Sequence, residues 1–178
     1  MRKHNRVRKL VLLGLLTAIS LVLSRLCVIY LTPSVKINFG NIPLLLGGLL
    51  FGPVAGGVIA AAADILGAAF LSGLGWYPPL TVGACLMGVV PGLLRRIAVS
   101  NPSVWRIGIV VLISNLVVGM CWNTWWLHVL YQTPIWSLLL VRVTLYLGMT
   151  VVETLALTLL LRSKPLRQEL TRNGGTEV

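Results

Sequence analysis

Acidic side chains are nearly absent from this chain: Asp and Glu together number 4 of 178 residues, against 15 Lys and Arg. Charged residues of both signs make up only 11% and hydrophobic residues 57%, whereas a soluble domain carries about 25% charged residues. This deficit excludes an ordinary soluble domain and indicates an integral membrane protein. The net charge of +11 does not indicate nucleic-acid binding, because the basic residues flank apolar runs and form no stripe on a polar fold.

Cysteine and the common catalytic motifs are also scarce or missing. The three cysteines, Cys27, Cys85 and Cys121, lie in apolar segments without CxxC or Cys/His spacing, so we expect buried thiols and no metal site. Walker A, HExxH and GxSxG motifs are absent, and His128 has no nearby nucleophile or acid to work with. The sequence therefore predicts a protein that is not an enzyme and has no cofactor.

Long apolar runs fill most of the chain instead and predict one domain over residues 1–178. We expect an all-α bundle of six transmembrane helices, since about 20 apolar residues cross a bilayer. The N-terminus has the charged-then-apolar pattern of a signal peptide but no cleavage site, so we interpret it as an uncleaved first helix. The predicted helices cover residues 8–31, 42–51, 53–72, 80–94, 104–126 and 135–161, and Pro91 is expected to kink the fourth. Loops are predicted at 32–41 (with a short extended piece), 73–79, 98–103 and 128–134. The chain has a basic N-terminus at 1–9 and a basic tail at 162–178.

The positions of Lys and Arg predict the orientation. Twelve of the fifteen lie in segments that share a side with the N-terminus, and only Lys36 lies in the opposite loops. The other two, Arg25 and Arg142, fall inside helices. Both termini are therefore expected in the cytoplasm of a multi-pass plasma-membrane protein, and the second helix (42–51) is expected to be tilted or continued, because it is too short to span vertically.

One carboxylate lies inside the third apolar segment, PVAGGVIAAAADILGAAFLS (residues 53–72). Its many Gly and Ala residues let neighbouring helices approach closely. Asp64 stands within it at membrane depth, where a charge is costly and normally faces a partner or a water-filled cavity. Asp64 is therefore a candidate functional residue.

Two arginines are expected in the same outer layer as Asp64. Arg25 lies near the outer end of the first helix and Arg142 about two turns inside the sixth. An Arg–Asp pair between helices would be a purely structural explanation, but it leaves one guanidinium over. That group requires an anion, and a guanidinium fork suits a carboxylate or phosphate. Glu153 lies deeper and is expected to be separate.

Aromatic side chains and one amide gather at the same level. They suit a flat heteroaromatic ligand with acidic groups, although an interfacial aromatic belt would explain the Trp residues equally well. Asn123 can both donate and accept hydrogen bonds. The candidate binding residues in this set are Trp76, Tyr77, Trp122, Asn123, Trp125, Trp126 and Tyr146. On the first helix, Gly14 and Ala18 form a small-residue face for another helix.

These segments together resemble the S components, the substrate-binding subunits of energy-coupling factor (ECF) vitamin transporters, and in particular the folate-specific FolT family. The resemblance covers nearly the whole chain. It is carried by LSRL around Arg25, the run INFGNIPLLLGGLLFGPVAGG (37–57), AADILGA around Asp64, GWYPP (75–79), NTWWLHVLY (123–131) and Val141-Arg142.

The resemblance implies a six-helix protein that captures a vitamin from outside and then joins a module of one transmembrane coupling subunit and two ATPases. It implies that this subunit meets the face of Gly14 and Ala18. It also implies folate as ligand, with Arg25 and Arg142 on its carboxylates, Asp64 or Asn123 on the pterin edge and the aromatic side chains against the rings. The alternatives are an S component for another vitamin and a membrane scaffold whose charges only join helices.

Overall fold

The all-α class is confirmed by the computed structural model, which describes residues 2–32, 35–71, 77–99, 103–132, 134–163 and 166. One two-stranded hairpin accompanies the helices. In chain order the elements are α1 (Arg2–Leu26), β1 (Val28–Thr32), β2 (Val35–Asn38), α2 (Asn41–Phe51), α3 (Pro53–Leu71), α4 (Pro78–Leu93), α5 (Arg95–Val99), α6 (Val104–Ser114), a π-helical segment π1 (Asn115–Trp122), α7 (Asn123–Tyr131) and α8 (Ile135–Arg162).

Four helical stretches are long and apolar enough to cross a membrane. They are Val7–Leu26, Pro53–Phe70, Val104–Tyr131 and Leu139–Arg162. Two shorter apolar helices, α2 and α4, accompany them. The described residues of the six predicted apolar segments are thus helical except at the ends of the first and the fourth, and the length criterion for a span is met by four of these segments.

The first helix ends earlier than predicted. The predicted helix over residues 8–31 is wrong at its C-terminal end, because α1 stops at Leu26 and residues 28–32 form β1. β1 pairs antiparallel with β2, with Val28 opposite Asn38 and Ile29 opposite Ile37. β-branched and aromatic residues favour such pairing over a further helical turn, and β2 is the short extended piece predicted within the loop at 32–41.

Two predicted connections are helical instead. Residues 95–99 form α5, so the connection predicted at 98–103 begins inside a helix. The fifth helix does not end at Trp126 but continues through π1 and α7 to Tyr131. It stops at Gln132, whose φ of 51° is left-handed and cannot continue a right-handed helix. The predicted loop at 128–134 is therefore shorter than expected.

The core lies where α2 is surrounded by its neighbours. All residues of α2 from Pro43 to Phe51 are buried, and Leu45 and Leu49 are 0% exposed. The backbones of α2, α3 and α4 meet at Gly48, Gly56 and Gly88, where a side chain on any one would collide with the backbone of another. Small residues thus allow close helix packing, and α2 lies inside the bundle as a short central helix.

Candidate functional site

Arg25 lies against the backbone of α3. A Cβ atom built on Gly67 would lie 2.7 Å from the Arg25 Nε and 2.8 Å from its Nη2. The Nε atom is buried and has no hydrogen-bond partner among the residues that the structure describes. A glycine at position 67 therefore makes room for the guanidinium and leaves one of its donors available.

A methyl group at position 67 is expected to displace this guanidinium. We predict that Gly67→Ala weakens binding of the site's ligand about tenfold, equivalent to about 1.4 kcal/mol, because the Cβ would occupy the space of the Arg25 side chain. The thermal midpoint should change little, because the clashing atoms belong to a flexible side chain. Isothermal titration of both variants measures the effect.

Gly108→Ala is the matched control. A Cβ at Gly108 of α6 would meet its nearest neighbour, Thr154, at 3.4 Å, an ordinary contact. Equal affinities for Gly67→Ala and Gly108→Ala would remove Arg25 from the site.

Asp64 lies on α3 one turn before Gly67 and faces α4. Its Oδ2 accepts a hydrogen bond of 2.6 Å from the Thr81 hydroxyl, in the first turn of α4. No ion pair joins Asp64 to Arg25 or Arg142 in the described ranges. The carboxylate is half-buried and held by a neutral partner, so its charge is not neutralised by either arginine.

Helix α4 also contacts π1 and α7, which carry Trp122, Asn123 and Trp126. The Trp122 Nε1 donates to the Pro79 carbonyl at 2.9 Å. A Cβ on Gly83 would collide with the Asn123 Oδ1, which shows how closely the amide approaches α4. Trp126 completes this aromatic group, with its ring centroid 6.1 Å from that of Trp122 and 6.4 Å from that of Tyr77. The rings are edge-on or tilted, as aromatic pairs prefer.

Arg142 is buried, with 8% of its surface exposed. Its Nη1 donates to the Thr124 hydroxyl at 2.9 Å and to the Gly119 carbonyl at 3.3 Å. Its guanidinium carbon lies 5.8 Å from the centre of the Tyr146 ring, one turn further along α8, a cation–π distance. The Nε atom is buried without a partner in the described part of the chain.

These contacts form a connected polar layer across the bundle. Asn123, which approaches α4, is followed in α7 by Thr124, whose hydroxyl accepts from Arg142, so α7 joins the α4 contacts to Arg142. Within the described segments the layer contains three buried polar atoms that lack a hydrogen-bond partner: the Nε of Arg25, the Nε of Arg142 and the Oδ1 of Asn123. Buried polar atoms are costly when unpaired, and two cationic donors with one acceptor favour an anionic polar ligand.

One predicted site residue lies outside the described part of the chain, and another lies away from this layer. Trp76 falls outside the described residues. Trp125 is 58% exposed and lies against His128 on the outside of the bundle, with ring centroids 6.4 Å apart. An apolar depression of about 590 Å³ on this flank is lined by Leu86, Val117, Cys121, Trp122, Trp125 and Trp126. It contains neither arginine and suits acyl chains or an apolar partner surface rather than an anion.

The sequence alone did not indicate Gly67, Thr81, Gly83 or Thr124. Each is a small residue, and small residues occur throughout this chain. The one local signal is that Thr124 follows Asn123 in the NTWW run. Threonine hydroxyls inside a membrane helix require a partner, and listing such threonines beside the predicted arginines and aspartate would have found both Thr81 and Thr124.

The small-residue face of α1 lies open. Gly14 and Ala18 are exposed, and a Cβ on Gly14 would meet nothing within 4 Å. Val11, Leu15 and Val22 around them are also exposed, at 62%, 54% and 46%. This face is not covered by the described part of the bundle, so it is available to lipid or to another protein.

Comparison with known proteins identifies relatives of this architecture. Residues 4–167 match the sequence model of the family described as ECF-type riboflavin transporter, S component. The folate transporter FolT of Clostridium novyi (strain NT) is 29% identical over 125 residues, which cover 70% of this chain and 71% of that protein. FolT of Leuconostoc mesenteroides subsp. mesenteroides is 29% identical over 129 residues, which cover 71% and 66%.

A solved structure is similar in fold as well as in sequence. The crystal structure of FolT bound with folic acid superposes with a TM-score of 0.73 at 26% identity, covering 83% of this chain and 88% of that one. The fold described above therefore has a counterpart in a solved protein that is bound with folic acid.

Proposed function

We propose folate as the ligand of this chain, which belongs to the family of ECF-type riboflavin transporter S components. An S component is the substrate-binding subunit of a transporter and not an enzyme. The chain would capture folate from outside the cell and deliver it by docking to an energising module. The comparisons with FolT proteins support this choice of ligand.

One observation carries the proposal: the Nε atoms of two arginines, Arg25 on α1 and Arg142 on α8, are buried and have no partner among the described residues. The glutamate end of folate has two carboxylates, which Arg25 and Arg142 would bind through charge-assisted hydrogen bonds. The pterin ring has an edge of amide and amine groups, which Asp64 and the Asn123 Oδ1 would bind. Tyr77, Trp122, Trp126 and Tyr146 would pack against the rings, with Trp125 at the margin, and Trp76 stays a candidate from the sequence alone.

Riboflavin is the second candidate, because the description of the family names it. Its ring system is flat and would suit the same aromatic side chains. It has no carboxylate, however, and would leave the buried Arg142 and the half-buried Arg25 without an anion, which is costly. The charge of the polar layer therefore favours folate.

The released ligand distinguishes these functions directly. The protein is purified in detergent and denatured, and the absorbance spectrum of the small molecule set free is measured. A pterin spectrum is expected. A flavin spectrum would replace folate with riboflavin as the ligand, and failure to bind either vitamin at micromolar concentration would favour a scaffold role.

The membrane arrangement that fits this function has six spans. The four long apolar helices are joined by α2 and α4, which are 11 and 16 residues long and would cross where the bundle is thin or the helix tilted. The distribution of Lys and Arg supports cytoplasmic termini and a binding site that faces outside.

The open face of α1 is the proposed docking surface for the energising module of one transmembrane coupling subunit and two ATPases. We predict that a double variant, Gly14→Leu with Ala18→Leu, keeps its affinity for folate but loses most folate uptake in cells that contain the module. Bulky side chains would separate the helices that small residues let approach. Radiolabelled uptake beside binding to purified protein measures both quantities.

Val54→Leu is the matched control, since Val54 on α3 is also exposed, at 79%. Uptake by the Gly14/Ala18 variant equal to that of Val54→Leu would contradict docking at this face.

A further inference from the structure

A second carboxyl group lies in the core, apart from the polar layer. Glu153 of α8 is 0% exposed, and Asn115, the first residue of π1, is 1% exposed. Val110, Val111 and Leu157, each 0% exposed, belong to the surrounding core. A carboxyl group so deep in an apolar core requires either a cation or a proton.

The hydrogen bonds around Asn115 use both of its amide protons. Its Nδ2 donates to the Glu153 Oε2 at 2.8 Å and to the Thr150 hydroxyl at 3.0 Å. The Thr150 hydroxyl in turn donates to the Tyr146 carbonyl at 2.7 Å. The amide donors of Asn115 and the hydroxyl of Thr150 are thus fully used.

Two oxygens of the same pair of groups have no donor. The Oε1 of Glu153 and the Oδ1 of Asn115 are both buried, and neither has a hydrogen-bond partner within the described ranges. They belong to the carboxyl and amide that the 2.8 Å bond already joins. One hydrogen atom between these oxygens would satisfy both at once.

Among the side chains that the structure describes, no basic group bonds to Glu153. On its own helix the nearest charged or titratable groups are Tyr146, two turns away, Arg162, which is exposed at the end of the helix, and Arg142, which is engaged with Thr124. The neighbouring α2 contributes the amide of Asn41. α6 and π1 contribute apolar side chains and Asn115, since Arg106 and Cys121 are exposed.

We propose that Glu153 and Asn115 form a buried proton-binding site. The proton resides on the Oε1 of Glu153 and donates to the Oδ1 of Asn115, while the Nδ2 of Asn115 donates to the Oε2. The neutral acid and the amide then make two hydrogen bonds in opposite directions. This pair holds α8 to π1 two turns from Tyr146, where the polar layer begins.

A proton fits this position better than a metal ion. The described residues contain no group of three His, Cys, Asp or Glu side chains that could hold a metal. The neighbouring Val and Leu side chains offer no further oxygen ligands, whereas hard cations require about six. A proton needs only the two oxygens that are present.

The scarcity of acidic residues makes the test direct, because the chain has only four of them: Asp64, Glu153, Glu169 and Glu177. Infrared spectra are recorded of the purified protein near neutral pH, without folate. A carbonyl stretch of a protonated carboxyl is expected in the wild type. It should disappear in Glu153→Gln, which retains a hydrogen-bond donor for Asn115, and remain in Asp64→Asn.

The site is rejected if Glu153→Gln leaves the protonated-carboxyl region unchanged. Asn115→Ala provides a second measurement should Glu153→Gln fail to fold. The carbonyl band of Glu153 should then move to higher frequency, because the carboxyl loses its hydrogen bonds to Asn115. A band that does not move overturns the pairing. A third outcome is that sodium chloride stabilises the wild type more than choline chloride does, while Glu153→Gln is equally stable in both salts. That result would assign Na⁺ to the site in place of the proton. None of these readings requires folate to be the ligand.

Discussion

Replacing Arg142 with alanine is expected to weaken folate binding about 30-fold or more. Removing one partner from a buried, hydrogen-bonded charge pair costs about 2–5 kcal/mol, and 1.4 kcal/mol corresponds to a tenfold change. Arg142 is buried, is held by Thr124 and Gly119, and has its Nε without a partner among the described residues. Titration calorimetry with the purified variant measures the change in affinity.

Two further variants separate the charge from the fork shape of Arg142. Arg142→Lys keeps the positive charge but loses the planar fork of donors, so its affinity should fall between those of the wild type and Arg142→Ala. Arg162→Ala removes an exposed arginine at the far end of α8 and should bind as the wild type does. The same affinity for Arg142→Ala and Arg162→Ala, with both proteins folded, would contradict the proposed role.

Gly88→Ala should lower the thermal midpoint by about 5 °C or more. A Cβ on Gly88 would collide with the backbone carbonyl of Gly56, and a backbone atom cannot rotate out of the way as a side chain can. Overpacking of this kind costs about 1–3 kcal/mol, and 1 kcal/mol shifts the midpoint by about 2–4 °C in a chain of this size. A thermal-shift assay in detergent measures it.

Gly148→Ala is its control on α8, because a Cβ on Gly148 would meet nothing within 4 Å. This variant should be as stable as the wild type or slightly more so, since alanine is the better helix former. A midpoint for Gly88→Ala equal to that of Gly148→Ala would mean that α3 and α4 can separate at no cost.

Helix boundaries set by local chemistry were predictable, and those set by distant pairing were not. The Gly52-Pro53 turn gave the end of α2 and the start of α3 at the correct residues, because proline suits the first position of a helix. The end of α1 was missed, since the apolar run continues through Val28 and Ile29. Their pairing with residues of β2 is a tertiary preference that overrides a continuous hydrophobic run.

The charged members of the candidate site were recognisable for a similar reason. Arg25, Asp64 and Arg142 stand out because charges inside a membrane are rare and costly. Their neutral partners did not stand out, since a threonine or glycine costs little anywhere in a helix bundle. Thr81 and Gly67 belong to the site only because Asp64 and Arg25 of neighbouring helices contact them. Such contacts between helices cannot be predicted from the residues next to each position.

The π-helical segment Asn115–Trp122 alters how this protein should be aligned with others. A wider turn takes up an extra residue, and each residue of an α-helix turns by about 100°. Without the extra residue, Asn123 and Thr124 would swing away from α4 and Arg142 towards the lipid. A paralogue that lacks the extra residue would place different side chains at the same depth in the bundle. Ligand preference across the family therefore has to be compared on superposed coordinates. An alignment gap within residues 115–122 would mean that different side chains line the pocket, and not only that one residue is missing.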